Sequence, residues 1–133
     1  MNRVFVDTSA LLALLDGDDL RHEGVRAAFA QRADDDFVTH GYVVAESLAV
    51  TRRRLGIEGV VALMDDVLPS IEVLPVDLEL HAEAQRRYRA ALPSGVSFVD
   101  RISLTLIERE EITMALVLDP DFARAGLEVL PGT

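Results

Sequence analysis

An α/β sandwich is the architecture the sequence predicts, with a central, mostly parallel sheet of four or five strands covered on both faces. Three observations predict it. Short apolar runs of strand length recur along the chain, and segments with helical spacing separate them. Half of the 133 residues are hydrophobic, which supplies a compact core and argues against disorder. Regular alternation of strand and helix implies parallel strands joined by crossovers that bury both faces of the sheet.

The elements follow in order. Val4-Phe5-Val6 is an apolar run ending at Asp7-Thr8-Ser9, a buried strand followed by a helix cap. Residues 10–15 are apolar enough for that helix, and Asp16-Gly17-Asp18-Asp19 stops it. A second helix covers 22–33, with Val25, Ala28 and Phe29 at core spacing. Asp34-Asp35-Asp36 closes it, and Phe37-Val38-Thr39 is the second strand. Residues 42–55 form a helix with Gly56 as its C-terminal stop, and 60–68 form another that ends at Pro69. Ile71-Glu72-Val73-Leu74 is the third strand. Asp77 caps a helix running to about Leu92, Pro93-Ser94-Gly95 is a loop, and Ser97 opens a helix to about Glu111. Residues 114–118 are the fourth strand, Asp119-Pro120 begins a short helical turn, and 127–130 form a fifth, edge strand. No repeat, low-complexity segment or linker divides the chain, so one domain over 1–133 is expected.

Composition removes several function classes. There is no cysteine, so disulfides, thiolate zinc sites and cysteine nucleophiles are excluded. All thirteen basic side chains are arginines and the net charge is −10, which argues against broad duplex binding through many cationic phosphate contacts. The N-terminal apolar run is too short for a signal peptide. No stretch approaches the ~20 apolar residues that span a bilayer. A soluble, cytoplasmic protein is the expectation.

The chemistry lies in acids at equivalent places. Asp7 follows the first strand, Asp119 follows the fourth, and Asp100 sits in the first turn of the helix opened by Ser97. Ligands of open parallel sheets bind beyond the carboxyl ends of the strands, where Asp7 and Asp119 project. Each acid also reads as a helix cap: Asp7 for a helix beginning near Thr8, Ser97-x-x-Asp100 as a variant capping box, and Asp119-Pro120 as a cap followed by proline. Those explanations take the residues one at a time and leave their convergence on one sheet edge unexplained. Glu46 is flanked on its helix face by Tyr42, Ala49 and Val50. A glutamate there needs a partner, for which Arg53 is the ordinary candidate, or a cation. Clustered carboxylates repel and raise one another's pKa values. A divalent cation relieves that repulsion, and all-oxygen ligands suit Mg²⁺ or Mn²⁺. Such ions support phosphodiester hydrolysis, singly or in pairs.

Four segments in order, Val6-Asp7-Thr8-Ser9, Val44-Ala45-Glu46-Ser47, Ser97-Phe98-Val99-Asp100 and Leu118-Asp119-Pro120-Asp121-Phe122, resemble the acidic motifs of PIN-domain nucleases, most of all the VapC toxins of toxin–antitoxin pairs. The resemblance covers essentially the whole chain. It implies a PIN fold, Mg²⁺ or Mn²⁺ dependence and cleavage of RNA. It also implies a homodimer and a small cognate antitoxin. By the same resemblance Asp7, Glu46 and Asp100 are core metal ligands, and Thr8 or Ser9 holds a ligand or the substrate. Asp119 fits the fourth position, while Asp121 stands two residues on and is the alternative or the partner in that role.

Other signals are weaker. His22, His40 and His81 have no metal-ligand spacing and read as surface or loop histidines. Arg52-Arg53-Arg54 reads as phosphate contacts or, slightly favoured, as a solvated helix end; Arg101, beside Asp100, is a better candidate for a phosphate contact or an acid partner. Rival classes lack their chemistry. A receiver domain would bring a lysine near the site, and none exists. A haloacid-dehalogenase-like phosphatase would carry Asp-x-Asp where this chain has Asp7-Thr8-Ser9. Phosphate-binding loop and dinucleotide fingerprints are absent. An inactive PIN-like binding module is the non-enzyme alternative.

Overall fold

The computed structural model describes residues 2–119, 122 and 126–131. Strand β1 (Arg3–Val6) lies at the centre of a five-stranded sheet, between β2 (Asp36–His40) and β4 (Met114–Leu116), with β3 (Glu72–Leu74) and β5 (Glu128–Leu130) at the edges. The order β3-β2-β1-β4-β5 is parallel at every pairing. The strands after β1 therefore build outward on one side, and the chain returns to the other side of β1 for β4. The reversal opens a crevice between the ends of β1 and β4, the topological switch point at which parallel sheets bind ligands.

The helices are α1 (Thr8–Leu15), α2 (His22–Gln31), α3 (Gly41–Ala62), α4 (Leu78–Ala90) and α5 (Phe98–Arg109). Val4, Phe5 and Val6 are fully buried with Leu11, Val38, Leu63, Leu106 and Leu116, as expected of a central strand covered on both faces. Phe122 is also fully buried and stacks on Phe5, with ring centroids 6.4 Å apart.

Departures from the sequence reading have local causes. The expected stop at Gly56 is a kink: the residue sits at φ 73°, ψ −164°, and helix resumes beyond it to Ala62. A π turn (Leu63–Val67) and a 3₁₀ turn (Leu68–Ser70) then close the segment, so Pro69 lies inside a tight turn. Asp36 opens β2 rather than closing α2.

His40 corrects the reading of the histidines as surface residues, because it is fully buried. Its Nδ1 accepts hydrogen bonds from the Tyr42 and Val43 amides at 3.2 and 3.3 Å, so the imidazole caps α3. That arrangement leaves the proton on Nε2, which donates to Ser103 Oγ at 2.8 Å. Ser103 Oγ in turn donates to the Val99 carbonyl at 3.0 Å. Burial lowers the His40 pKa to about 4 and keeps the ring neutral. The chain of bonds ties the start of α3, which carries Glu46, to the first turns of α5, which carry Asp100.

Candidate active site

Asp7 caps α1 and lines the candidate site. Its carboxylate Oδ2 accepts from the Ser9 amide at 3.5 Å and the Ser9 hydroxyl at 3.1 Å. Its other oxygen, Oδ1, is buried with no hydrogen-bond partner. Ser9 Oγ also accepts the Leu118 amide at 3.0 Å, which pins the end of β4 beside the end of β1. Thr8 Oγ1 donates to Glu46 Oε1 at 2.6 Å. The partner of Glu46 is therefore this hydroxyl; Arg53 is exposed. Ser97 caps α5, its side chain accepting the Asp100 amide at 3.1 Å, and so presents the Asp100 carboxyl from the first helical turn.

Asp7, Thr8, Ser9, Glu46, Asp100 and Asp119 line one open cavity of about 350 Å³ at the switch point. Asp121 lies outside the described residues, as does the turn expected after Asp119, and the choice between Asp119 and Asp121 stays with the sequence. Arg101 is not in this cavity. It lines a different one, of about 400 Å³, with Leu104, Ile107 and Leu127, because adjacent residues on a helix point about a quarter-turn or more apart. In exchange the acid cavity receives Asp19 and Arg21, which no sequence signal marked, and Arg54, from the run read as phosphate contacts or a solvated helix end. The helical step from Glu46 through Val50 to Arg54 is the signal that identifies the last of them.

The electrostatics set this cavity apart. The Asp100 pKa rises from its ordinary value of 3.8 to about 7, first through burial, then through the charges of Asp7 and Asp119, with Glu46 adding to it and Ser97 opposing. Burial likewise pushes the Asp7 carboxyl up, with a contribution from Glu46, against the lowering pull of the Ser9 hydroxyl and the Ser9 and Thr8 amides. Desolvation and like charge both disfavour the ionised forms. Among the described residues, no three acidic or imidazole groups stand close enough to enclose an ion as placed; the acids line a shared cavity instead. The donor set nevertheless fits a hard divalent cation. It is all oxygen, it includes an unsatisfied buried carboxylate oxygen on Asp7, and among the described residues no arginine pairs with Asp7, Glu46 or Asp100.

The PIN domain family model matches residues 4–127. The chain belongs to the PIN-domain family. Its structure is similar to that of VapC20 of Mycobacterium tuberculosis, a sarcin–ricin loop cleaving toxin, with a TM-score of 0.85 and 28% sequence identity over 93% of this chain and 95% of that one. FitAcB from Neisseria gonorrhoeae superposes with a TM-score of 0.70 at 19% identity, covering 95% of each chain. VapBC2 from Rickettsia felis, bound to a DNA fragment from its promoter, superposes with a TM-score of 0.73 at 12% identity, covering 96% of each. At such identities the last two matches speak for the fold alone. No curated protein sequence matches the chain. The PIN fold accounts for the all-parallel sheet and for the position of the acid cavity at its switch point. Among the described residues no helix is long and apolar enough to cross a membrane.

Proposed function

We propose that this PIN domain is a Mg²⁺- or Mn²⁺-dependent endoribonuclease that hydrolyses RNA phosphodiester bonds and serves as the toxin of a type II toxin–antitoxin pair. The observation that carries the reading is the switch-point cavity, where Asp7, Glu46, Asp100 and Asp119 meet without an arginine paired to Asp7, Glu46 or Asp100. A divalent cation bound there supplies Lewis acidity toward a phosphodiester and toward water. The chain's own residues do the positioning. Thr8 holds Glu46, and Ser9 holds Asp7 against the end of β4. Ser97 fixes the first turn of α5 behind Asp100. The Thr8 and Ser9 hydroxyls are thus committed as donors to carboxylates, a role that orders the acids ahead of any contact with substrate.

Single-stranded or looped RNA is the expected substrate, since a small protein of net charge −10 offers little cationic surface for gripping a duplex. The structural relative VapC20 is a sarcin–ricin loop cleaving toxin, which makes a loop RNA the first substrate to test. The same acidic charge favours a small, basic antitoxin as inhibitor, and a homodimer is the expected assembly. The test is incubation of labelled hairpin-loop and duplex RNAs with Mg²⁺ or Mn²⁺. Cleavage in the loop, abolished by EDTA and suppressed on co-expression with the adjacent open reading frame, is expected. Cleavage that survives EDTA, or none with either ion, overturns the nuclease reading. A neighbour that neither binds nor inhibits removes the toxin reading alone.

A further inference from the structure

Glu46, Val50 and Arg54 follow one another at helical spacing, and all three line the acid cavity. One stripe of α3 therefore runs from carboxylate through apolar side chain to guanidinium. The kink at Gly56 ends it just beyond Arg54. Arg54 lies about 12 Å from Glu46 along the helix axis, at about 1.5 Å per residue, so it stands at the rim and not among the acids. Among the described residues, Arg3, Arg26, Arg32, Arg86, Arg87 and Arg109 are occupied by carboxylates. Among the described residues Arg54 is exposed and makes no ion pair. Arg21, from the connection between α1 and α2, lines the same cavity, and its Nε reaches Asp19 Oδ1 at 3.2 Å. It is the second cation available there.

We propose that Arg54, assisted by Arg21, forms a subsite that grips a backbone phosphate flanking the scissile bond of a single-stranded RNA. The inference deepens the nuclease reading and rests on it for the identity of the ligand. Its physical basis is independent. A chain of charge −10 repels RNA at a distance, so productive binding needs cations placed at the cavity itself. A guanidinium matches the fork of phosphate oxygens and is more weakly hydrated than an ammonium. A cation about 12 Å from Glu46 along the helix axis stands clear of the reacting phosphate, which it leaves to the acid cluster, and meets a flanking one farther along the strand.

The experiment measures cleavage kinetics and equilibrium binding of one labelled twelve-nucleotide single-stranded RNA across a salt series. Relative to wild type, Arg54→Ala should raise KM and the dissociation constant about tenfold or more. It should leave kcat within about twofold, because the contact is made equally in ground and transition states. The slope of log binding constant against log salt should flatten by about 0.7, the value for one single-strand phosphate contact. Arg54→Lys should restore the slope. Arg89→Ala, an exposed arginine outside the cavity, should change nothing. Arg54 is exposed, so an unchanged melting temperature confirms that the variant is folded. If Arg54→Ala and the double variant with Arg21→Ala cleave and bind with wild-type KM and salt slope, the subsite is overturned while the nuclease stands. Binding that weakens as expected in a protein that never cleaves supports the subsite and removes the nuclease reading; absence of RNA binding by wild type removes both. If only a complex with a protein partner weakens, Arg54 belongs to a protein interface and the proposal fails.

Discussion

Along the seam between α4 and α5, Asp77, Glu83 and Glu108 each rest against arginine; in the cavity at the end of β1, Asp7, Glu46 and Asp100 have hydroxyls and amides beside them and, among the described residues, no arginine paired to them. Arg87 Nη1 reaches Glu108 Oε2 at 2.7 Å, Arg86 Nη2 reaches Glu83 Oε2 at 2.6 Å and Arg109 Nη2 reaches Asp77 Oδ2 at 3.1 Å. The arginine hydrogen bonds lower the pKa of all three seam carboxylates. Burial and like charge raise those of Asp7 and Asp100. The same residue types are thus driven in opposite directions by their surroundings. The seam is electrostatically complete, and its exposed pairs add little stability individually. The cavity stores unfavourable interactions that packing elsewhere must outweigh, and such sites are candidates for function. Among the described residues, Asp7, Glu46 and Asp100 have no arginine paired to them, and a cation can bring that charge.

The largest expected effect separates the two regions by activity. Glu46→Gln and Asp7→Asn each keep the side-chain size and remove a charge from the cavity. Each should lower metal-dependent RNA cleavage by more than about a hundredfold, above the upper range for losing an outer-shell partner of a metal site. Glu108→Gln removes an equal charge from the seam and should leave the rate within about twofold, as exposed substitutions generally do. Rates measured on one RNA at saturating Mg²⁺ make the comparison. A loss in Glu108→Gln as large as in Glu46→Gln would erase the distinction between the regions.

The fold and the cavity were partly legible in the sequence, whereas the ion pairs of the seam were not read from it. The α/β alternation, the five strands and the acids at strand ends are carried by local patterns: period, cap chemistry and apolar runs. Asp7, Asp100 and Asp119 are visible because a polar residue directly after a buried strand, or in the first turn of a helix, has few places to point. Three features needed the third dimension. The burial of His40 depends on Ser103, which arrives from α5. Arg101 and Asp100 are neighbours in sequence but face different cavities. Arg54 belongs to a run of three arginines, and only the α3 stripe that begins at Glu46 distinguishes it from Arg52 and Arg53. The Asp7 cap shows why single-residue explanations mislead: one carboxylate oxygen caps α1 while the other remains without a partner in the cavity.

A smaller effect concerns metal and stability. Mg²⁺ or Mn²⁺ at about a hundred times its Kd should stabilise the folded protein by about 2.7 kcal/mol if it binds one site and only the native state. Asp100→Asn should remove most of that gain, and Glu108→Gln should keep it. Thermal or chemical unfolding with and without the ion measures both. A full metal-induced gain in Asp100→Asn would place the ion outside the cavity.

The smallest effect is the pH dependence of the metal-free protein, where the two regions should act on opposite sides of one maximum. Asp100 is raised from 3.8 to about 7. Between those values the folded protein holds a proton that the unfolded chain has released. Stability from this group therefore falls as pH rises from about 4 to about 7. Asp7 is raised and acts in the same sense. Asp77, Glu83 and Glu108 are lowered, so their contribution is complete above the ordinary carboxylate range and is lost as pH falls below about 4. Melting temperatures taken from pH 3 to pH 8, in buffers free of divalent ions, should pass through a maximum near about pH 4. The acid limb should be shallow because the seam pairs are exposed to solvent. Asp100→Asn should flatten the alkaline limb and leave the acid limb unchanged. Asp77→Asn should do the reverse. Saturating Mg²⁺ should also flatten the alkaline limb of wild type, since the ion binds the ionised carboxylates and offsets their repulsion. An alkaline limb of undiminished slope in Asp100→Asn would mean that the cavity carboxylates do not carry the strain, and the contrast with the seam would then rest on geometry alone.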